Sequence, residues 1–161
     1  MKVGLQILVE GEADTVFIEF LGYENTKAGN SGAVANTMKE KLKTRLALGI
    51  VDDDKGSVPK YFSEFDLQES ENDLLLKKHK ERKHYLIIIQ PALEAWLIEA
   101  AEKVGIETKK YGFKDLKQLK RITKNHHVKK NQKFKDFLNA LKQKKGTPTK
   151  TICRWIEQVV Q

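Results

Sequence analysis

Three short, almost uninterrupted apolar runs constrain the fold of this chain more than any other feature. They are Val3–Val9 (VGLQILV), Leu46–Val51 (LALGIV) and Tyr85–Gln90 (YLIIIQ), all rich in branched aliphatic residues. Runs of this length without polar alternation read as strands covered on both faces. Between them lie segments with apolar residues at helical spacing. After an Asp14-Thr15 cap, Val16, Phe17, Phe20 and Leu21 make one apolar face, and Gly22 ends that helix. Ala33–Lys43 reads as a second helix. Pro91 opens a third over Ala92–Val104, with Leu93, Trp96, Leu97 and Ala100 on its apolar side. This alternation predicts an α/β fold of βαβ units, a mostly parallel central sheet flanked by helices. Ligands of such sheets bind beyond the carboxyl ends of the strands.

The remaining elements are weaker in pattern. Residues 23–32 read as irregular around at most one short strand. Ser57-Val58-Pro59 starts a short helix through Phe65, and Leu74–Leu76 is a minor strand. Beyond Gly105 the chain reads as helical over 113–123, 131–143 and 149–160, with Gly146-Thr147-Pro148 separating the last two. Phe113, Phe134, Phe137 and Trp155 fall at helical spacing and are expected in the core, as is Trp96. No Pro/Gly/Ser linker divides the chain. The expected organisation is a core over residues 1–104 with a basic helical extension, residues 105–161, packed on it.

Net charge is +8, and it is divided unevenly. Residues 1–102 hold 13 Lys and Arg against 18 Asp and Glu, a net of −5, whereas residues 103–161 hold 17 against 4, a net of +13. An acidic half beside a basic half suits a cation site next to a polyanion-binding surface. A solvated Lys-rich face accounts for the second half equally well. The lone Cys153 excludes an internal disulfide and a Cys-based zinc site, and it fits a reducing compartment. No signal-peptide pattern and no apolar run of about 18 residues is present, so the expectation is a cytoplasmic protein without a membrane span.

Two of the apolar runs end in carboxylates, at Glu10-Gly11 and at Asp52-Asp53-Asp54-Lys55-Gly56. In an extended segment, residues i and i+2 share a side, so Asp52 and Asp54 converge and Asp53 points away. With the two strands as neighbours, Glu10 reaches the same edge. Three carboxylates this close repel, and a bound cation relieves the repulsion. Hard oxygen donors without Cys or His select Mg²⁺, Mn²⁺ or Ca²⁺ over zinc. Taken alone, DDDKG is an ordinary turn, and Lys55 is either a phosphate partner or a solvated turn residue.

The stretches ILVEGEAD (Ile7–Asp14) and GIVDDDKG (Gly49–Gly56) together resemble the Toprim domain of topoisomerases, bacterial-type primases, recombination-repair proteins and the nucleases of the overcoming-lysogenization-defect family. The resemblance covers about residues 3–100. It implies a Toprim-like Rossmannoid fold, Glu10 as general acid/base, and Asp52 and Asp54 as ligands of Mg²⁺ or Mn²⁺. Asp14 matches a further acidic position of the nuclease-like branch. IIIQPALEAWLIEAA (Ile87–Ala101) is similar to a Pro-x-x-Glu-x-Trp element of small stand-alone Toprim-like proteins, which makes Glu94 a candidate second-metal or outer ligand. Glu94 is equally explained as a first-turn Glu favoured by the helix dipole. The chain lacks the winged-helix, active-site tyrosine and zinc modules of topoisomerases and primases. The resemblance therefore implies a metal-dependent nuclease acting on DNA or RNA. The alternative is a non-catalytic Toprim-like module that binds metal or nucleotide and works with a partner ATPase.

Other motifs carry less. Gly29-Asn30-Ser31-Gly32 resembles a phosphate cradle but lacks the Lys-Ser/Thr of a P-loop, so a loop is expected. His126-His127 cannot face one ligand from a helix. Lys117, Lys120, Arg121, Lys124, Lys129, Lys130 and Lys133 form the candidate surface for the nucleic-acid backbone.

Overall fold

A computed structural model of the protein describes residues 4–53 and 56–161. A six-stranded sheet runs through its centre in the order β2-β1-β3-β6-β5-β4. The strands are β1 (Gln6–Val9), β2 (Thr26–Lys27), β3 (Ala47–Asp52), β4 (Phe65–Glu71), β5 (Leu74–His79) and β6 (His84–Ile89). Four of them, β2, β1, β3 and β6, are mutually parallel, and β5 and β4 add an antiparallel edge.

The chain winds in both directions from β1. Helix α1 (Glu12–Phe20) carries it to β2 on one side, and α2 (Ser31–Asn36), continued by a π-helical turn Thr37–Lys41, carries it back past β1 to β3. The side chains show which face each helix covers. Ile7, Val9, Leu48 and Ile50 pack with Val16, Phe17 and Ile18 of α1, while Leu8, Ala47 and Val51 pack with Val34, Ala35 and Met38. Alternate residues of one strand thus feed two cores, which is why the apolar runs are continuous. Gly49 sits where the second layer comes closest. A Cβ there would stand 2.9 Å from Val34 Cγ1 and 3.0 Å from Leu86 Cδ2.

The α1 face carries the rest of the helices: α3 (Leu93–Lys103), α4 (Leu116–Thr123), α5 (Gln132–Gln143) and α6 (Thr149–Val159). Phe113, Phe134, Phe137, Trp155 and Trp96 are all buried in that layer, as their spacing predicts. Trp96 meets Phe17 edge-on at 5.9 Å and donates its Nε1–H to Asn72 O, so its polar atom is satisfied inside the core.

Several boundaries differ from the sequence expectation. The first helix begins at Glu12, with Gly11 as its N-cap, and Asp14 lies inside the first turn rather than before it. Strand β5 extends to His79, and β4 has no counterpart in the pattern reading. The short helix after Pro59 is a 3₁₀ turn over Lys60–Glu64. Gly29–Gly32 is not a free loop, because Asn30 caps α2 by accepting from Ala33 N at 2.8 Å.

Candidate functional site

The strand order reverses at β1 and β3, since β1 connects outward to β2 while the next crossover returns to β3. In an open α/β sheet this switch point leaves a crevice at the carboxyl ends of the strands. Glu10 follows the last residue of β1 and Asp52 is the last residue of β3, so both acids lie at that crevice. The two strands pair in register, Val9 opposite Ile50. Glu10 Oε1 accepts the backbone N–H of Asp52 at 2.7 Å, joining the two strand ends.

Strand alternation then separates the neighbouring acids. Asp52 follows Ile50 towards the α1/α3 layer, where its Oδ1 accepts the backbone N–H of Leu93 at 2.9 Å. Ala92, the N-cap of α3, has no side chain that could do this, so Asp52 caps a helix from across the sheet. Asp53 is tied from the side: Gln90 Nε2 donates to its Oδ2 at 3.1 Å, and Asp53 N donates to Ile89 O. Asp54 and Lys55 lie outside the described residues.

Asp14 and Glu94 come to the same crevice from two helices. Asp14 is the third residue of α1, and its Oδ2 accepts Gly11 N–H at 3.0 Å. Glu94 stands in the first turn of α3 and accepts the hydroxyl of Thr123 at 2.8 Å. Desolvation and, next, the charge of Asp52 push the Asp14 carboxyl up to about 8, with Glu10 and Glu94 adding to the rise and the Gly11 N–H opposing it. Asp14 therefore feels the charge of three other acids, Asp52 at the end of β3, Glu10 just after β1 and Glu94 in α3. Among the described residues, no three His, Cys, Asp or Glu side chains are gathered closely enough to hold a metal ion.

The acidic crevice has a basic rim. Glu12, at the start of α1, pairs with Lys27 at 2.6 Å and with Lys129 at 3.5 Å. Lys129 and Lys130 belong to a 3₁₀ turn, Val128–Lys130, that packs on α1. Lys117, Lys120, Arg121 and Lys124 are exposed on or just after α4, the helix whose Thr123 holds Glu94. Lys133 is exposed in the first turn of α5. His126 and His127 are exposed and stack on each other at 4.0 Å. A depression of about 710 Å³ lies at the other end of β1 around Gln6, Tyr23 and Asn25, away from these acids.

Among the partners of the acids that were not singled out from sequence are Gln90, Thr123 and the backbone N–H of Leu93. Gln90 could have been suspected as the polar residue closing a buried strand. The others depend on packing between elements far apart in the chain. No helix among the described residues is long and apolar enough to cross a membrane. Comparison with known protein families, with characterised proteins and with solved structures finds no match to this chain.

Proposed function

We propose that this protein is a Toprim-like phosphodiesterase that uses Mg²⁺ or Mn²⁺ to cleave nucleic acid in the cytoplasm. The observation that carries the reading is the meeting of Glu10, Asp14, Asp52 and Glu94 at the switch point of the sheet, where Asp14 is held protonated up to about 8 by burial and by the charges around it. Such a group of hard oxygen donors is relieved either by a proton or by a cation, and its lack of nitrogen and sulfur donors suits Mg²⁺ or Mn²⁺. Glu10, Asp14 and Asp52 would hold the ion by drawing together on it, since they are not gathered closely enough to do so here, joined by Glu94 from α3 and by Asp54, two residues beyond Asp52 in the sequence. When bound, the cation supplies Lewis-acid polarisation of a phosphate and a more acidic water.

The chain's own groups do the remaining work. The Leu93 N–H fixes the orientation of the Asp52 carboxylate, and the Asp52 N–H fixes that of Glu10. Glu10, placed at the strand end, is the group for proton transfer to or from the reacting oxygen. The Lys and Arg side chains of α4 and of the turn after it hold the flanking phosphates without reading sequence. A non-catalytic module working beside a partner ATPase is the competing reading. It is favoured by the structural employment of Asp52 and Asp14, each of which caps a helix without needing an ion.

Cleavage of single- and double-stranded DNA and RNA in Mg²⁺ and Mn²⁺ separates the two. Metal-dependent cleavage that Asp52→Ala abolishes supports the enzyme. Salt-sensitive binding without cleavage in either metal supports the module.

A further inference from the structure

The opposite face of the sheet carries a groove whose lining includes none of Glu10, Asp14 and Glu94. It lies between the second core layer and the 3₁₀ turn after Pro59, and it holds about 180 Å³. Val51, Phe62 and Ile88 give it apolar walls, Val58 stands in its lining, and Asp53 and Lys77 supply the charged groups. Asp52 also borders it, so the groove opens beside the acidic crevice. Its volume is below the roughly 300 Å³ at which whole small-molecule ligands are usually held, so it suits one group of a larger ligand.

The chemistry of the lining says which group. Asp53 is steadied by Gln90 through one oxygen, and a carboxylate offers about four acceptor positions, so it can still accept from a ligand N–H. Lys77 offers donors from β5. Acceptor and donor around an apolar slot match a planar heterocycle whose edge carries an N–H donor beside a carbonyl or ring-nitrogen acceptor. Val58 is 61% exposed, an apolar surface that a stacked ring would cover.

We infer that this groove receives the nucleobase of the nucleotide whose phosphate lies at the acidic crevice. The inference rests on the phosphodiesterase reading for the phosphate, but the groove itself is tested by binding. Asp53 accepts from the base N–H groups and Lys77 donates to a base carbonyl or ring nitrogen. Guanine, cytosine and uracil offer an N–H beside a carbonyl, and adenine offers its amino group beside a ring nitrogen, so the slot admits all four bases.

The experiment compares inorganic phosphate with the four nucleoside 5′-monophosphates, bound to the full chain in Mg²⁺ and followed by saturation-transfer NMR and calorimetry. The expected result is at least about tenfold tighter binding of all four nucleotides than of phosphate, as one base stacked on apolar side chains provides. Val58→Ser, which removes the exposed apolar surface without adding a charge, lowers that advantage and leaves phosphate binding unchanged. Lys77→Ala lowers it as well, by removing the donor to the base. Nucleotides that bind no better than phosphate, or a preference indifferent to both substitutions, overturn the inference. Base-dependent binding without metal-dependent cleavage keeps the groove and discards the nuclease, and cleavage without base-dependent binding does the reverse.

Discussion

Asp14→Asn should change the pH dependence of stability in a way that only a buried, crowded carboxyl can. The side chain titrates at about 8 in the folded chain against 3.8 for the ordinary group, first because it is desolvated and then because Asp52 is negative beside it. Between those two values the folded chain keeps a proton that the unfolded chain has lost. Stability therefore falls as pH rises through that window, and the full contribution is present only below about 3.8. At about 1.4 kcal/mol per pH unit, the loss between pH 4 and pH 7 is about 4 kcal/mol. Water entering the crevice and movement of Glu10 make this an upper bound. Asparagine keeps an oxygen for the Gly11 N–H and carries no charge, so it removes the titration and spares the cap. For a chain of this size a change of 1 kcal/mol moves the midpoint by about 2–4 °C. Thermal unfolding in chelator from pH 4 to pH 8.5 should show the wild type losing up to roughly 8–16 °C more than Asp14→Asn over the lower three pH units. Adding Mg²⁺ at pH 8 should recover much of the loss in the wild type and little in the variant. Parallel profiles for the two proteins, with or without Mg²⁺, would refute the reasoning.

Four other outcomes follow from particular contacts. Asp52→Ala leaves the Leu93 N–H without its cap and should cost about 1 kcal/mol, whereas Asp52→Asn keeps an acceptor there; urea unfolding of both measures the difference, and both should lose metal-dependent cleavage. Gly49→Ala forces a Cβ against Val34 and Leu86 and should cost about 1–3 kcal/mol in the same assay. His84 donates Nε2–H to Leu42 O and accepts from the Tyr61 hydroxyl at 2.6 Å, so Tyr61→Phe should cost about 1–3 kcal/mol by leaving the buried Nδ1 unpaired. Replacing Lys120, Lys124 and Lys130 by Gln should each lower the slope of log affinity for DNA against log salt by about one, without altering sequence preference.

Much of this architecture is legible in the sequence because continuous apolar strands have few alternatives. A run such as LALGIV, buried on both faces, must be covered by two layers, and both are present. The placement of Asp52 and Asp53 on opposite sides follows from strand alternation and is what the hydrogen bonds to Leu93 and Gln90 display. Strand β4 escaped because FDLQESE is a polar edge: after Phe65, every one of its residues is exposed, so no apolar period marks it. The start of α1 was misplaced for a related reason. Asp14 has the chemistry of an N-cap, but the neighbouring Gly11 takes that position and Asp14 bonds back to it. Contacts such as Thr123 with Glu94, or Lys129 with Glu12, join residues far apart in the chain, and no local pattern announces them.

The most direct test of the account is cation binding by the acidic crevice itself. Mn²⁺ titrated into the full chain, followed by electron paramagnetic resonance and calorimetry at pH 8, should show saturable binding that Mg²⁺ displaces and that releases protons as Asp14 ionises. Asp52→Asn, although it retains an acceptor for the Leu93 N–H, should abolish it while the protein remains folded. Absence of saturable binding in the wild type, or binding that Asp52→Asn leaves untouched, would contradict the assignment of Glu10, Asp14 and Asp52 as a metal site.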